Sequence, residues 1–398
     1  MPTSPEAKFC DVLIVGMGPG GATAAFELSR AGLSVVALEK EFHPRYKVCG
    51  GGLSARIARI LGSDFQSVVE HEVRSVQFSY GGQDPILIDS AEPFAYMAMR
   101  DRFDHLLVEK ARGVGTEVRE GEPAAKFLEL PDGIEVHTKR ERYRTKVLIG
   151  ADGAKSAVAQ WLFPEHRFRR MPTLESEVDI DSASLYPGNG TALIDFGATN
   201  KGYAWIFPKK GRLSIGLGGF EGPMAGPKQF FRRFIADEPG LSRMTVPPPL
   251  GHPLPLYSPY DIDADPRLVR RRALLVGDAG HLVDPLFGEG IYYAVRSGQL
   301  AAAAILGSFH DPRVSLQEYE RTVAKEIYPE FSVAARMAKM VYALPRLCHR
   351  LAFQHPDILR LYYDVLRGQE TYQTFLAKAK GLLKSSFRDM LQRALTFS

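Results

Sequence analysis

Gly16, Gly18 and Gly21 in the run GMGPGG stand at GxGxxG spacing. The run follows the apolar residues 11–15 (DVLIV) and precedes small and apolar residues at helical spacing that end at Gly32, so it reads as strand, turn and helix. With Pro19 and Ala22 in the same turn, the backbone can approach a pyrophosphate and meet its charge with free N–H groups and the helix dipole. The next apolar run, residues 33–38, stops at Glu39. A carboxylate at that strand tip accepts hydrogen bonds from an adenosine ribose and repels a 2′-phosphate, so FAD or NAD is expected rather than NADP.

Two further apolar runs, 145–149 and 273–276, end in GADG at 150–153 and GDAG at 277–280. Their Asp152, Gly153, Gly277 and Asp278 are candidate cofactor residues, and Asp278 is placed for a ribityl hydroxyl. Pro285, Gly288, Glu289 and Gly290 then precede a helical stretch, 291–309, opened by Ile291. Backbone N–H groups there suit the flavin N1/O2 edge, where negative charge gathers on reduction. A flavin needs such distant partners, so FAD is favoured over NAD.

In YAWIFP at 203–208, strand alternation puts Tyr203, Trp205 and Phe207 on one face, a contiguous aromatic wall that is either core or the lining of an apolar site. Pro208 closes the motif. Cys49 stands before three glycines, 50–52, and is either a small packing residue or a group with chemistry.

These segments together resemble the geranylgeranyl reductase family, within the larger group that includes the aromatic-ring hydroxylases and flavin halogenases. The resemblance runs from residue 11 to about residue 310 and rests on VGMGPGGATAA with Glu39, KVCGGGLS at 47–54, Arg100 with Asp104 in MRDRFDHLL, GADGAKS at 150–156, YAWIFP, and GDAGHLVDPLFGEGIYYAVRSG at 277–298. It implies that Arg100 contacts the FAD, with Lys40 and Arg45 in the same site, and that Cys49, Gly50 and Gly51 lie beside the isoalloxazine. Tyr203, Trp205, Phe207 and Pro208 are implied to line the substrate cavity. The implied activity is saturation of C=C bonds in a geranylgeranyl or related polyprenyl chain by hydride from reduced flavin. Such an alkene is unactivated, so a proton must reach the other carbon; Cys49 and Tyr203 are the candidate catalytic residues, although neither is a strong acid.

No second GxGxxG in a strand–helix context is available for a nicotinamide cofactor. Electrons are expected from outside, from a transiently docked NAD(P)H or a ferredoxin-type protein. Arg270, Arg271 and Arg272 could meet an anionic donor or form a solvated face. The alternatives are a flavin monooxygenase or halogenase on the same scaffold and a non-catalytic FAD-containing electron carrier. No GxSxG elbow or HxxxH pair suggests hydrolase or metal chemistry.

The elements that must position these residues define an α/β plus α+β chain: a Rossmann-type FAD-binding domain, an antiparallel-sheet substrate domain and a helical C-terminal extension. The expected boundaries are 1–72, 96–160 and 267–330 for the first, 73–95 and 161–266 for the second, and 331–398 for the third. Residues 73–88 alternate around Gly81-Gly82 as a hairpin. Pro312, Pro329, Pro345 and Pro356 should break the C-terminal helices.

At 398 residues and 45% hydrophobic, the chain can bury a large cofactor. Its net charge of +4 is too small for a nucleic-acid footprint, and the basic excess lies beyond residue 330, where 11 basic residues face 4 acidic ones. Three separated cysteines, Cys10, Cys49 and Cys348, suggest a reducing cytoplasm without disulfides. No apolar run is long enough to span a bilayer, and residues 1–9 do not read as a signal peptide. Leu383, Phe387, Leu391 and Leu395 recur every fourth residue beside Lys380, Lys384 and Arg388, a basic amphipathic helix able to rest peripherally on a membrane or to pack on the core.

Overall fold

Val12, Leu13 and Ile14 are wholly inaccessible to solvent, as expected of a parallel strand covered on both faces. They belong to the strand Lys8–Val15, which pairs in parallel with Val35–Leu38 on one side and Arg142–Gly150 on the other. The computed structural model describes residues 6–165, 170–180, 188–219, 226–257 and 267–396. Packing divides the chain into two units, the first made of residues 1–48, 99–170 and 253–331 and the second of 49–98, 171–252 and 332–398.

In the first unit the parallel sheet continues through Ala273–Leu275 beyond Arg142–Gly150 and through Glu117–Arg119 beyond Val35–Leu38. Its register explains the site. Val15 lies opposite both Leu38 and Gly150, and Gly150 lies opposite Leu275. With Arg119 opposite Leu38, five parallel strands therefore finish on one row, and the residues that follow four of them are Gly16, Glu39, Ala151-Asp152 and Val276-Gly277-Asp278. Ligands of open α/β sheets bind outside such strand ends. The helix Pro19–Arg30 connects the first two strands, and Gly32, with φ of 89°, turns the chain back.

The second unit holds a seven-stranded sheet that includes the hairpin Ser75–Tyr80 with Gln83–Asp89 and the meander Ala192–Asp195, Gly202–Lys209, Arg212–Gly219. The hairpin turn is held from outside: Asp195 accepts hydrogen bonds from the N–H groups of Gly81 (3.1 Å) and Gly82 (2.7 Å) and from Ser79 Oγ (2.6 Å). A smaller sheet pairs Gly52–Ser54 and Val69–Val73 with Ala95–Ala98. Residues 49–72, grouped by sequence with the dinucleotide domain, thus pack in the second unit, because two of their strands find their partner at 95–98.

The C-terminal residues from 332 also belong to the second unit. The prolines act as helix starts: Pro329 and Pro345 lie in the first turns of Tyr328–Ala343 and Pro345–Gln354, and Pro356 is the N-cap of Asp357–Leu366. A proline costs no hydrogen bond at those positions. Tyr363 anchors this region by stacking on Phe94, with ring centroids 4.0 Å apart. The last helix is Tyr372–Thr396; Leu383 is half-buried and Lys380 and Lys384 are exposed, whereas the side chains of Phe387, Arg388, Leu391 and Leu395 lie outside the described residues.

Candidate active site

The glycine turn of the first unit separates two kinds of glycine. A methyl group on Gly21 would strike the carbonyl of Gly16, and one on Gly16, where φ is 99°, would strike the carbonyl of Ala151. These two are required by packing. A methyl on Gly18 would meet no atom within 4 Å, although Gly18 is the N-cap of Pro19–Arg30, an end with no side-chain cap and no acidic residue in its first turn. Open space beside an uncapped helix N-terminus is what a pyrophosphate requires.

Glu39 is buried, and its Oε2 accepts from the Met17 N–H at 2.8 Å while Oε1 accepts from Glu41 N–H at 3.2 Å. The carboxylate thus fixes the glycine turn as well as standing at the strand tip expected for a ribose contact. Lys40 beside it is exposed.

Arg100 opens the helix Arg100–Gly113 and places its guanidinium on Asp104 one turn later, Nε to Oδ1 at 2.8 Å and NH2 to Oδ2 at 2.9 Å. Arg45 adds a third bond to Asp104 Oδ2 at 3.0 Å. Burial pushes the Asp104 carboxyl up, but Arg100, then Arg45 and Lys47, outweigh it and hold the group below the usual carboxylate range. Arg45 Nε also lies 3.7 Å from Glu41 Oε2, so Arg100, Asp104, Arg45 and Glu41 form one chain of ion pairs.

The other strand ends differ from one another. Asp152 is engaged internally: it accepts from Ser156 Oγ and from the N–H groups of Ala157 (2.6 Å) and Val158 (3.2 Å) at the start of the helix Ala157–Leu162, whose N-cap is Ser156. Burial raises its carboxyl above the usual range against those hydrogen bonds. Gly153, with φ of 77°, follows it.

Gly277 donates its N–H to Ser297 Oγ at 3.0 Å. Asp278 carries a carboxylate with no hydrogen-bond partner among the described residues, and its Oδ1 is 3.4 Å from the position of a methyl on Gly290. Gly290 caps Ile291–His310, again with no side-chain cap and no acid in the first turn. Pro285 is buried and Gly288 has φ of 68° in the loop between them, where Asp284 Oδ1 accepts from the N–H groups of Leu286 (2.7 Å) and Phe287 (2.9 Å). Gly18, the two uncapped helix ends and the Asp278 carboxylate together fit FAD.

In the second unit, the strand Gly202–Lys209 presents two unlike faces. Ala204 and Ile206 are packed in a core with Leu193, Leu213, Ile215 and Leu217 and with Phe231 and Phe234 of the helix Pro227–Asp237. Tyr203, Trp205 and Phe207 face the other way, with centroids 6.0 Å apart at each step. Phe196 extends the wall, 6.2 Å from Tyr203. Gly216, opposite Trp205 in register, leaves room for the indole, since a methyl there would collide with it. Pro208, expected alongside the aromatics, falls on the other side of the strand by the same alternation.

The glycines after Cys49 lie on this wall. A methyl on Gly50 would sit 3.1 Å from the Phe207 ring and from Trp205 Nε1, and one on Gly51 would strike the carbonyl of Ala98. Cys49 is partly buried, and its Sγ accepts from the Gly51 N–H at 3.4 Å. Cys10, by contrast, is buried in the first unit, and burial pushes its thiol up to about 11.

One feature escaped sequence reasoning: Lys209, the last residue of the aromatic strand, is buried and paired with Glu177 on Met171–Asp179, two strands away in the same sheet. Only its position two residues past Phe207, on the same strand face, could have signalled it. The arginine run is a surface feature; Arg271 pairs with Glu129, and Arg270 donates to the Leu162 carbonyl.

Residues 9–188 match the family described as FAD binding domain. The chain is 31% identical over 311 residues to geranylgeranyl diphosphate reductase of Rhodobacter capsulatus, covering 74% of this chain and 75% of that protein. It is 28% identical over 394 residues to digeranylgeranylglycerophospholipid reductase of Thermoplasma acidophilum, covering 90% and 92%. A solved geranylgeranyl bacteriochlorophyll reductase-like protein from Thermoplasma acidophilum shares the fold, with a TM-score of 0.73 at 24% identity over 85% of this chain and 88% of that one. Taken with a dinucleotide cradle and an apolar wall built as described, these likenesses show that the chain belongs to the geranylgeranyl reductase family of FAD-dependent oxidoreductases.

Proposed function

We propose that this enzyme saturates C=C bonds of a geranylgeranyl or related polyprenyl chain. The observation that carries the reading is the division of labour on Gly202–Lys209: Ala204 and Ile206 build the core, which frees Tyr203, Trp205 and Phe207 to form an apolar surface against the Cys49 loop. A polyprenyl chain offers no charge or hydrogen-bonding group along its length, so an aromatic wall is the surface that selects it. The reductases of Rhodobacter and Thermoplasma carry the names of geranylgeranyl diphosphate and of a digeranylgeranyl phospholipid, and both substrates present the same chain.

FAD, when bound, supplies the hydride. In the first unit Gly18 and the start of Pro19–Arg30 would receive its pyrophosphate, with Glu39 at the ribose, the Arg100–Asp104–Arg45 cluster near the phosphates, Asp278 at the ribityl chain and Gly288 to Ile291 at the ring edge. In the second unit the wall excludes water and orients the alkene, and the Cys49 thiol or the Tyr203 hydroxyl delivers the proton to the carbon that does not accept hydride. Reducing equivalents arrive from NAD(P)H or a ferredoxin-type donor.

Enzyme loaded with FAD, reduced with dithionite without oxygen and offered a panel of geranylgeranyl compounds tests the reading by mass spectrometry. Products carrying two added hydrogens per saturated bond are expected. Turnover that instead demands oxygen and hydroxylates or halogenates an aromatic ring would replace it with monooxygenase or halogenase chemistry.

A further inference from the structure

Large apolar side chains are exposed on two consecutive helices of the second unit. Met340, Leu344, Leu347 and Phe353 are 52%, 53%, 52% and 53% exposed. Met340 is near the end of Tyr328–Ala343, Leu344 is the junction, and Leu347 and Phe353 lie on Pro345–Gln354. The junction is tight: the Cys348 N–H donates to the Leu344 carbonyl at 3.0 Å, and Cys348 Sγ is 3.9 Å from the Met340 carbonyl oxygen. The second helix therefore starts folded against the end of the first, which gathers Met340, Leu344 and Leu347 at the bend.

The charge on this stretch has one sign. Residues 331–356 contain Arg336, Lys339, Arg346 and Arg350 and no aspartate or glutamate, and all four cations are exposed. Surface arginines elsewhere, such as Arg30, Arg112, Arg313 and Arg321, each hold a carboxylate. Arg336, Arg346 and Arg350 have none among the described residues. A protein–protein core disfavours unpaired like charges around its apolar centre. The headgroup region of an anionic bilayer favours that arrangement, because apolar side chains enter the acyl boundary while guanidiniums meet lipid phosphates.

We propose that the bend formed by residues 336–353 is a docking surface for an anionic lipid bilayer. The proposal rests on exposure and charge alone, independently of the polyprenyl reading, and assigns the contact to this bend instead of the terminal helix.

The test sediments the full-length, FAD-loaded protein with neutral phosphatidylcholine vesicles and with vesicles in which about one-third of the lipid is phosphatidylglycerol. Co-sedimentation with the anionic vesicles is expected, reduced about ten-fold in Leu344→Glu/Leu347→Glu and in Arg346→Gln/Arg350→Gln, with the residual apolar contribution less sensitive to salt. Flavin absorbance and the thermal midpoint, unchanged in both variants, keep loss of fold apart from loss of docking. Wild type that ignores anionic vesicles, or variants that bind them as well as wild type does, overturns the proposal. So does a dimer in sedimentation velocity that the leucine variant dissociates in the absence of any vesicle binding, which would make the bend a contact between two copies of the chain.

Discussion

The ammonium of Lys209 is sealed against the glycine loop by Glu177. Its side chain is 1% exposed, a methyl on Gly51 would lie 3.1 Å from Nζ, and the Glu177 carboxylate that pairs with it keeps Oε2 buried without a hydrogen-bond partner. The pair is thus a fixed charge couple at the edge of the aromatic wall.

Breaking that couple from one side leaves a buried charge. Lys209→Met should destabilise the protein by about 3–5 kcal/mol in urea unfolding, and adding Glu177→Leu should restore most of the loss. A double variant no more stable than Lys209→Met would show that the lysine acts chiefly through the loop rather than through its partner.

The glycine turn separates cofactor binding from folding. Gly18→Ala meets no atom and has φ of −70°, so the thermal midpoint of the apoprotein should hold while affinity for FAD falls about ten-fold or more in a fluorescence titration. Gly21→Ala, which strikes the Gly16 carbonyl, should lower that midpoint itself.

Acid should unlock the Arg100–Asp104–Arg45 cluster. Because the Asp104 carboxyl is held below its ordinary range, its contribution is complete above the unfolded value near 3.9 and is lost as pH falls through the lower folded value. Asp104→Asn should therefore cost about 3–5 kcal/mol at neutral pH and flatten the fall of stability below about pH 5. An acid limb as steep as in wild type would place the titrating group elsewhere.

The proton source can be separated from the wall. If Cys49 supplies the proton, Cys49→Ala should retain FAD and lose about 10²–10⁴ in single-turnover reduction of the alkene, and Tyr203→Phe should do so if the phenol supplies it. Full turnover in both variants would assign each side chain to packing.

The strand ends of the first unit were legible because their signal is local. A buried run, a glycine turn and an acid at the next strand tip are all coded within 11–39, and the two later Gly-Asp ends repeat the form. The division of the chain was less legible, since the pairing of Gly52–Ser54 and Val69–Val73 with Ala95–Ala98 depends on partners distant in sequence. Asp152 looked equivalent to Asp278 in sequence, yet its carboxylate is consumed by the start of the following helix. Lys209 stands at the end of its strand, and nothing local announces that Glu177 lies two strands away in the same sheet. The exposed bend at 344 was not legible, because which apolar side chains of 340–353 stay uncovered depends on how the two helices pack.

The common finishing row of Leu38, Val15, Gly150 and Leu275 makes the sheet a ruler for everything mounted on its rim. Lengthening a loop at the opposite edge of the sheet leaves the graduations alone, so insertions between Gly32 and Val35 or ahead of Ala273 should be absorbed. One residue added inside a strand would advance its tip by about 3.3 Å and turn its side chains over, misplacing Glu39 or Asp278 without touching either. Graft experiments on this scaffold should therefore exchange rim segments whole and preserve strand lengths.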